Sequence, residues 1–149
     1  MRILLNRKAA ILGLLFFSFS AHSEPIDFSL MTRVEVQTRD ACQTQIDEDT
    51  VGFKKCVLEQ ASNIKKMPNK KISKLGVYYY GWLASIVASK NGIQTSEETA
   101  LYFLPKFRAI QKELKVSDLD LCHTIPGDCV SRNARMIQME ARGKAESSK

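Results

Sequence analysis

The chain is 149 residues long, with four cysteines and a formal net charge of +6. That length fits one domain, large enough to bury a real core, and leaves no room for a second. Half of the charge excess is local: Arg2, Arg7 and Lys8 lie in the first 23 residues, which carry no acid, so the remainder has a net charge of +3, too small to imply a nucleic-acid partner.

Residues 1–23 read as a cleavable signal peptide. The three cations form a positive start, Ala9 to Phe19 is an apolar run, and Ala21-His22-Ser23 offers small residues for cleavage between Ser23 and Glu24. The run is shorter than the roughly 20 residues a membrane helix needs, and no second candidate follows, so no membrane span is expected. No cysteine borders the cleavage site to take a lipid anchor. The expected protein is periplasmic or secreted, with a helical domain over 24–143 and a mobile polar tail over 144–149.

In an oxidising compartment an even set of cysteines reads as structural disulfides, so Cys42, Cys56, Cys122 and Cys129 are expected to form two. No CxxC redox pair, C-x-x-C-H haem signature or zinc spacing is present. Three connectivities are open. On one unbroken helix Cys42 and Cys56 would lie about 21 Å apart at a rise of 1.5 Å per residue, far outside bridging range, so joining them requires the helix to fold back. The turn-forming stretch Asp47-Glu48-Asp49-Thr50 with Gly52 lies between them, and Pro126-Gly127 lies between Cys122 and Cys129. Local pairing, 42 with 56 and 122 with 129, is the preferred pattern.

In chain order, residues 26–37 are ambiguous. Ile26, Phe28, Leu30, Val34 and Val36 alternate as in a strand, while Met31, Val34, Thr38 and Ala41 fit a helix from Ser29 toward Ile46. The helix is favoured because a lone strand has no partner for its backbone. Thr50 to Lys66 carries Phe53, Cys56, Val57, Gln60, Ala61 and Ile64 on one helical face. Asn69 can cap a central helix from Lys70 to Lys90, with Ile72, Leu75, Tyr79, Trp82, Leu83, Ile86 and Val87 on its apolar face and a small-residue stripe of Val77, Gly81, Ala84 and Ala88 beside it. Asn91-Gly92 stops it, with Ile93 placed for the accompanying apolar contact.

Thr95 and Glu98 have capping-box form at the start of a further helix. Its stripe of Ala100, Phe103 or Leu104, Phe107, Ile110 and Leu114 stays in phase across Pro105, which predicts one kinked helix to about Lys115. Asp118 and Asp120 suit a short helix start. Asp128 can cap a last helix with Val130, Ala134, Ile137 and Ala141 as its apolar face and Gly143 as its stop. The fold class is therefore all-α, a single-domain bundle of about five helices stapled by two disulfides.

No catalytic set emerges. His123 is the one histidine outside the leader and has no recognisable nucleophile and orienting acid around it. Pairing it with Met136 or Met139 around a haem is equally weak, since Met is ordinary core filler. The run from Asp47 to Leu58 grazes the calcium-loop pattern but puts Val51 and Leu58 where ligands belong, and Asp118-Leu119-Asp120 fails sooner. Glu97 and Glu98, or Asp118 and Asp120, are accounted for as helix-start residues. No enzyme activity, cofactor or metal is expected.

The unusual surface is basic. Lys54, Lys55, Lys65, Lys66, Lys70, Lys71 and Lys74 face the single acid Glu59, and Tyr78, Tyr79, Tyr80 and Trp82 follow. Four rings within one and a half turns cannot all point inward, so Tyr78 or Tyr80 should be partly exposed. Lys65, Lys66, Lys70, Lys71, Lys74, Tyr78 and Tyr80 are therefore the candidate partner-binding residues, the tyrosines as rigid contact area and the lysines steering an anionic protein. The loop Thr124 to Asp128 is a reserve site. The expected function is that of a periplasmic inhibitor or immunity protein neutralising an envelope-acting toxin or hydrolase. The alternatives are a structural or accessory subunit of an envelope or secretion apparatus, self-association as a homodimer included, and a hydrolase whose site goes unrecognised.

Overall fold

A computed structural model describes residues 25–66, 69–93, 95–124 and 129–149. The signal peptide and its cleavage site, and residues 125–128 of the reserve loop, lie outside the described residues. So do the side chains of Lys66, His123 and Thr124. Among the described residues there are six α-helices and no strand: α1 Phe28–Cys42, α2 Thr50–Asn63, α3 Lys70–Lys90, α4 Ser96–Leu114, α5 Asp118–Thr124 and α6 Cys129–Ser147. Short 3₁₀ turns, Gln43–Gln45 and Ile64–Lys66, follow α1 and α2. The ambiguous N-terminal stretch is helical. Asp27 caps it, its carboxylate accepting from the Leu30 N–H at 3.1 Å.

The bundle is built round α3. At about 100° per residue, Tyr79 turns toward α4, Gly76 toward α1, and Val77 and Tyr80 toward α2. All of these are buried. Trp82, Leu75 and Val77 of α3 are wholly out of solvent, together with Phe53, Phe103 and Phe107 of its neighbours. Two glycines make the close approaches possible. A Cβ at Gly76 would sit 2.5 Å from the Met31 carbonyl oxygen of α1, and one at Gly81 would sit 2.8 Å from the Phe103 ring of α4. Of the small-residue stripe, Val77, Gly81 and Ala88 are buried and Ala84 is half-buried.

Helix ends follow local chemistry, with two departures. The Asn91-Gly92 stop forms as expected: Ile93 N–H donates to Ala88 C=O at 3.1 Å, Gly92 N–H to Ser89 C=O at 3.1 Å, and Gly92 takes φ +89°. The Thr95 capping box does not form, because the Thr95 hydroxyl is hydrogen-bonded to the Thr50 hydroxyl at 2.5 Å, tying the start of α2 to the start of α4. A box of that form closes instead at α5, where the Asp120 carboxylate accepts from Ser117 N–H and Oγ, both at 2.7 Å, and Ser117 Oγ accepts from Asp120 N–H at 3.1 Å. Asn69 precedes α3 in the left-handed conformation, φ 56°, without a side-chain cap bond. Pro105 lies inside the continuous α4 as the phase of its stripe requires.

Both local disulfides are present, Cys42–Cys56 with Cα atoms 5.8 Å apart and Cys122–Cys129 at 5.2 Å. The first closes the α1–α2 hairpin. Asp49 starts α2 by accepting from Val51 N–H at 3.0 Å, which is why the acidic run between the cysteines makes a turn and not a calcium loop.

The last helix departs most from its sequence reading. Val130, Ala134, Ile137 and Ala141 face solvent, and Met136 and Met139 are buried instead. Gly143 does not end α6, which continues to Ser147 through the good helix formers Lys144, Ala145 and Glu146. The turn of the helix is decided by an ionic clamp. Arg108 Nε bonds Glu140 Oε1 at 2.6 Å, while Arg108 Nη1 bonds Asp118 Oδ1 at 2.5 Å and Gln111 Oε1 at 2.9 Å. Burial works against the guanidinium charge, and the Asp118 and Glu140 carboxylates outweigh it, so Arg108 is held more firmly charged than usual. Satisfying Glu140 turns Met136 and Met139, its i−4 and i−1 neighbours, to the core.

Leu83, expected as core, is only partly buried, while Ile86 is 5% exposed. Ile86→Ala should therefore cost about 2–5 kcal/mol and Leu83→Ala clearly less in urea unfolding. Gly76→Ala, which forces α1 off α3, should cost about 1–3 kcal/mol, whereas Gly143→Ala should be neutral or stabilising. Equal stability of the Gly76 and Gly143 variants would contradict the α1–α3 crossing.

Candidate binding face

Four tyrosines divide into two pairs. Tyr79 and Tyr80 are buried, Tyr79 between Trp82 at 5.9 Å and Phe107 at 5.3 Å, Tyr80 against Phe53 at 6.0 Å. Burial pushes both phenols up to about 12, ahead of the nearby charges, of which Arg132 and Arg39 are the largest opposing ones. Tyr78 and Tyr102 are half-buried. Tyr80, a candidate partner contact with Tyr78 in the sequence, is 7% exposed and is not part of the face that carries Tyr78. It lies about 200° round α3 from Tyr78, so the two cannot share a face.

Tyr78 belongs to a row of rings that the sequence reading did not assemble. Gly81 leaves space for the Phe103 ring, and Tyr78, one turn earlier, stacks on that ring at 6.2 Å with 28° between planes. Tyr102 stands edge-on to Phe103 at 5.3 Å and 81°. Over Tyr102 lie two cations from different helices, Lys54 Nζ of α2 at 3.7 Å and Lys106 Nζ of α4 at 4.8 Å from the ring centroid. Each cation–π contact is worth about 0.5–1 kcal/mol at an exposed site, enough to order a side chain whose stem is already half-covered. The result is a firm aromatic surface with fixed positive charge at its edge, spanning α2, α3 and α4.

The lysine run is spread more widely than this row. Lys74, partly buried, lies one turn before Tyr78 on α3. Lys71 Nζ pairs with Glu113 Oε2 of α4 at 2.9 Å, an exposed pair worth little to stability. Lys55, Lys65 and Lys70 are exposed. Tyr102 and Lys106 were missed. Their i, i+4 spacing on α4 was legible, but the partner that gives it meaning, Lys54, is 48 positions away in sequence.

The acidic pairs weighed for hydrolytic chemistry are not brought together as such. Glu97 pairs with Arg142 at 2.6 Å, and Asp118 and Asp120 point to different partners, Arg108 and Ser117. Among the described residues no group of three His, Cys, Asp or Glu side chains is arranged to hold a metal ion, and no helix is long and apolar enough to cross a membrane. The chain matches no protein-family model, no curated protein and no solved structure.

Since Tyr79 and Tyr80 hold their protons more tightly folded than unfolded, their contribution to stability is complete below pH 10 and is lost as pH rises from 10 through about 12. Ultraviolet titration should show ionisation steps near pH 12 that disappear one by one in Tyr79→Phe and Tyr80→Phe. Steps for these residues near pH 10 in the folded protein would contradict their burial.

Proposed function

We propose that this is an exported, non-enzymatic binding protein, in the first instance a periplasmic inhibitor or immunity protein that neutralises an envelope-acting toxin or hydrolase. The observation that carries the reading is the face formed by Lys54, Tyr102, Lys106 and Tyr78. Rigid tyrosines bordered by lysine supply contact area at low entropic cost and steer an acidic partner toward it. Two disulfides add support, because bridged cysteines persist in oxidising compartments. A stapled helical scaffold carrying a preformed surface suits a protein whose task is to occupy another protein's site.

A specific feature favours a second reading, a subunit of an assembly. Val130, Ala134, Ile137 and Ala141 recur at spacings of four, three and four on the outer side of α6, Val130 being 79% and Ile137 59% exposed. Against a second α6 running antiparallel, each layer would set an alanine opposite a β-branched residue, Ala134 with Ile137 and Val130 with Ala141. Such large–small alternation packs well. Sedimentation velocity decides between the readings: a dimer abolished by Ile137→Glu supports assembly, and a monomer at all accessible concentrations removes it.

The inhibitor reading is tested with the partner captured from envelope extract or supplied by the adjacent gene. Lys54→Glu with Lys106→Glu should slow association about tenfold or more at low salt, with the loss shrinking as salt screens the field. Tyr102→Ala and Tyr78→Ala should chiefly speed dissociation. Affinity within twofold of wild type for the double charge reversal and both tyrosine truncations, with the helical circular dichroism unchanged, would refute the face.

A further inference from the structure

On the side of α3 away from Tyr78 lies a groove of about 570 Å³ between α1 with its 3₁₀ extension and the C-terminal half of α3. Its floor is apolar, formed by Tyr80, Leu83, Ala84 and Val87, and Val87 is 51% exposed. Glu35, Arg39 and Asp47 stand in its walls, one cation against two carboxylates. Residue 35 is one helical turn after Met31, the residue whose backbone rests on Gly76, so the crossing of α1 over α3 places this carboxylate at the mouth of the groove.

Glu35 is the anomaly. It is half-buried, and among the described residues no hydrogen bond or ion pair reaches its carboxylate. Burial raises its proton affinity more than Arg132 and then Arg39 lower it, so those two cations act only at range. Arg39 is engaged elsewhere, with Nε and Nη2 on Asp40 at 3.2 and 3.1 Å. The hydroxyl-bearing rings of Tyr79 and Tyr80 feel the Glu35 charge as well. A carboxylate drawn partly out of water without a donor is costly, and such groups concentrate where a ligand supplies what is missing.

We propose that this groove binds a basic side chain of a partner polypeptide, a lysine or arginine whose charged head pairs with Glu35 and whose methylene stem lies along Leu83, Ala84 and Val87. A basic side chain meets both halves of the site, since its stem is apolar and its head carries the donors that Glu35 lacks. The groove follows α3 from Tyr80 to Asn91, about 16 Å at 1.5 Å per residue, the length of about five residues of extended chain. It therefore takes a short peptide segment with one central cation. The proposal is independent of the Lys54 and Tyr102 face and of what that face binds.

The probe is the pentapeptide acetyl-Leu-Ala-Arg-Ala-Leu-amide, with its citrulline analogue as the neutral isostere, titrated into the full domain and followed by ¹³C NMR at the Glu35 carboxyl and the Leu83 and Val87 methyls. The arginine peptide should shift all three saturably, and citrulline or Glu35→Gln should weaken binding about tenfold or more. Val87→Lys, at an exposed position, should abolish binding through like charge without touching Glu35, while Lys54→Glu and Tyr102→Ala should leave it unchanged. Absence of saturable shifts with the arginine peptide, equal binding of the citrulline peptide, or full binding by Glu35→Gln or Val87→Lys would each overturn the proposal.

Discussion

The contact between the α1 backbone and Gly76 of α3 sets the rest of the arrangement. With only a hydrogen at position 76, the Met31 carbonyl comes within 2.5 Å of where a Cβ would be, so two helix backbones meet without side chains between them. At that distance Met31, Val34 and Thr38 are forced into the core and Glu35 is carried over the tyrosines. Further along, α1 ends at Cys42, whose bond to Cys56 returns the chain as α2 along another flank of α3. Bringing Phe53 onto Tyr80 and Lys54 onto Tyr102 are consequences of the same placement.

Once α3 is enclosed by α1, α2 and α4, its aromatic residues have no freedom to share one role. Tyr79 and Tyr80 become packing elements with reluctant phenols, and Tyr78 is left at the α4 border, where Phe103 and Tyr102 extend it into a surface. Charge is sorted in the same way. Lys54 and Lys106 lie over Tyr102, whereas the groove on the far side of α3 holds Glu35 and Asp47 with Arg39. The two proposed contacts, an acidic patch on one face and a single basic side chain on the other, would draw on opposite charge preferences on two sides of one helix.

The α5–α6 end joins the burial of Leu121, Met136 and Met139 to a network of polar bonds. Arg108 joins α4, α5 and α6 through Asp118 and Glu140, and Gln111 fills the remaining position by donating to Asp118 at 2.7 Å. A charged network of this kind specifies orientation because misalignment leaves a half-buried guanidinium unpaired. Together with the burial of Met136 and Met139 on the same side, it leaves Val130, Ala134, Ile137 and Ala141 as an apolar stripe on the outside.

From the sequence alone, the helical class, the run of α3, the Gly92 stop, the unbroken α4 across Pro105 and the pairing of each cysteine with its sequence neighbour could be argued, because each depends on groups within a few turns of one another. Tertiary structure alone decided which faces were used. Helical periodicity marks a stripe but not its neighbour, so it could not tell that Tyr80 meets Phe53, that Leu83 borders a groove, or that Thr95 would spend its hydroxyl on Thr50. It misassigned α6 for the same reason: the winning interaction, Arg108 with Glu140, links residues 32 apart, and no local pattern records it. The proposed binding face and the Glu35 groove were hidden likewise, since each is made where helices distant in sequence cross, and the geometry of a crossing is set by backbone approach at residues such as Gly76 and Gly81.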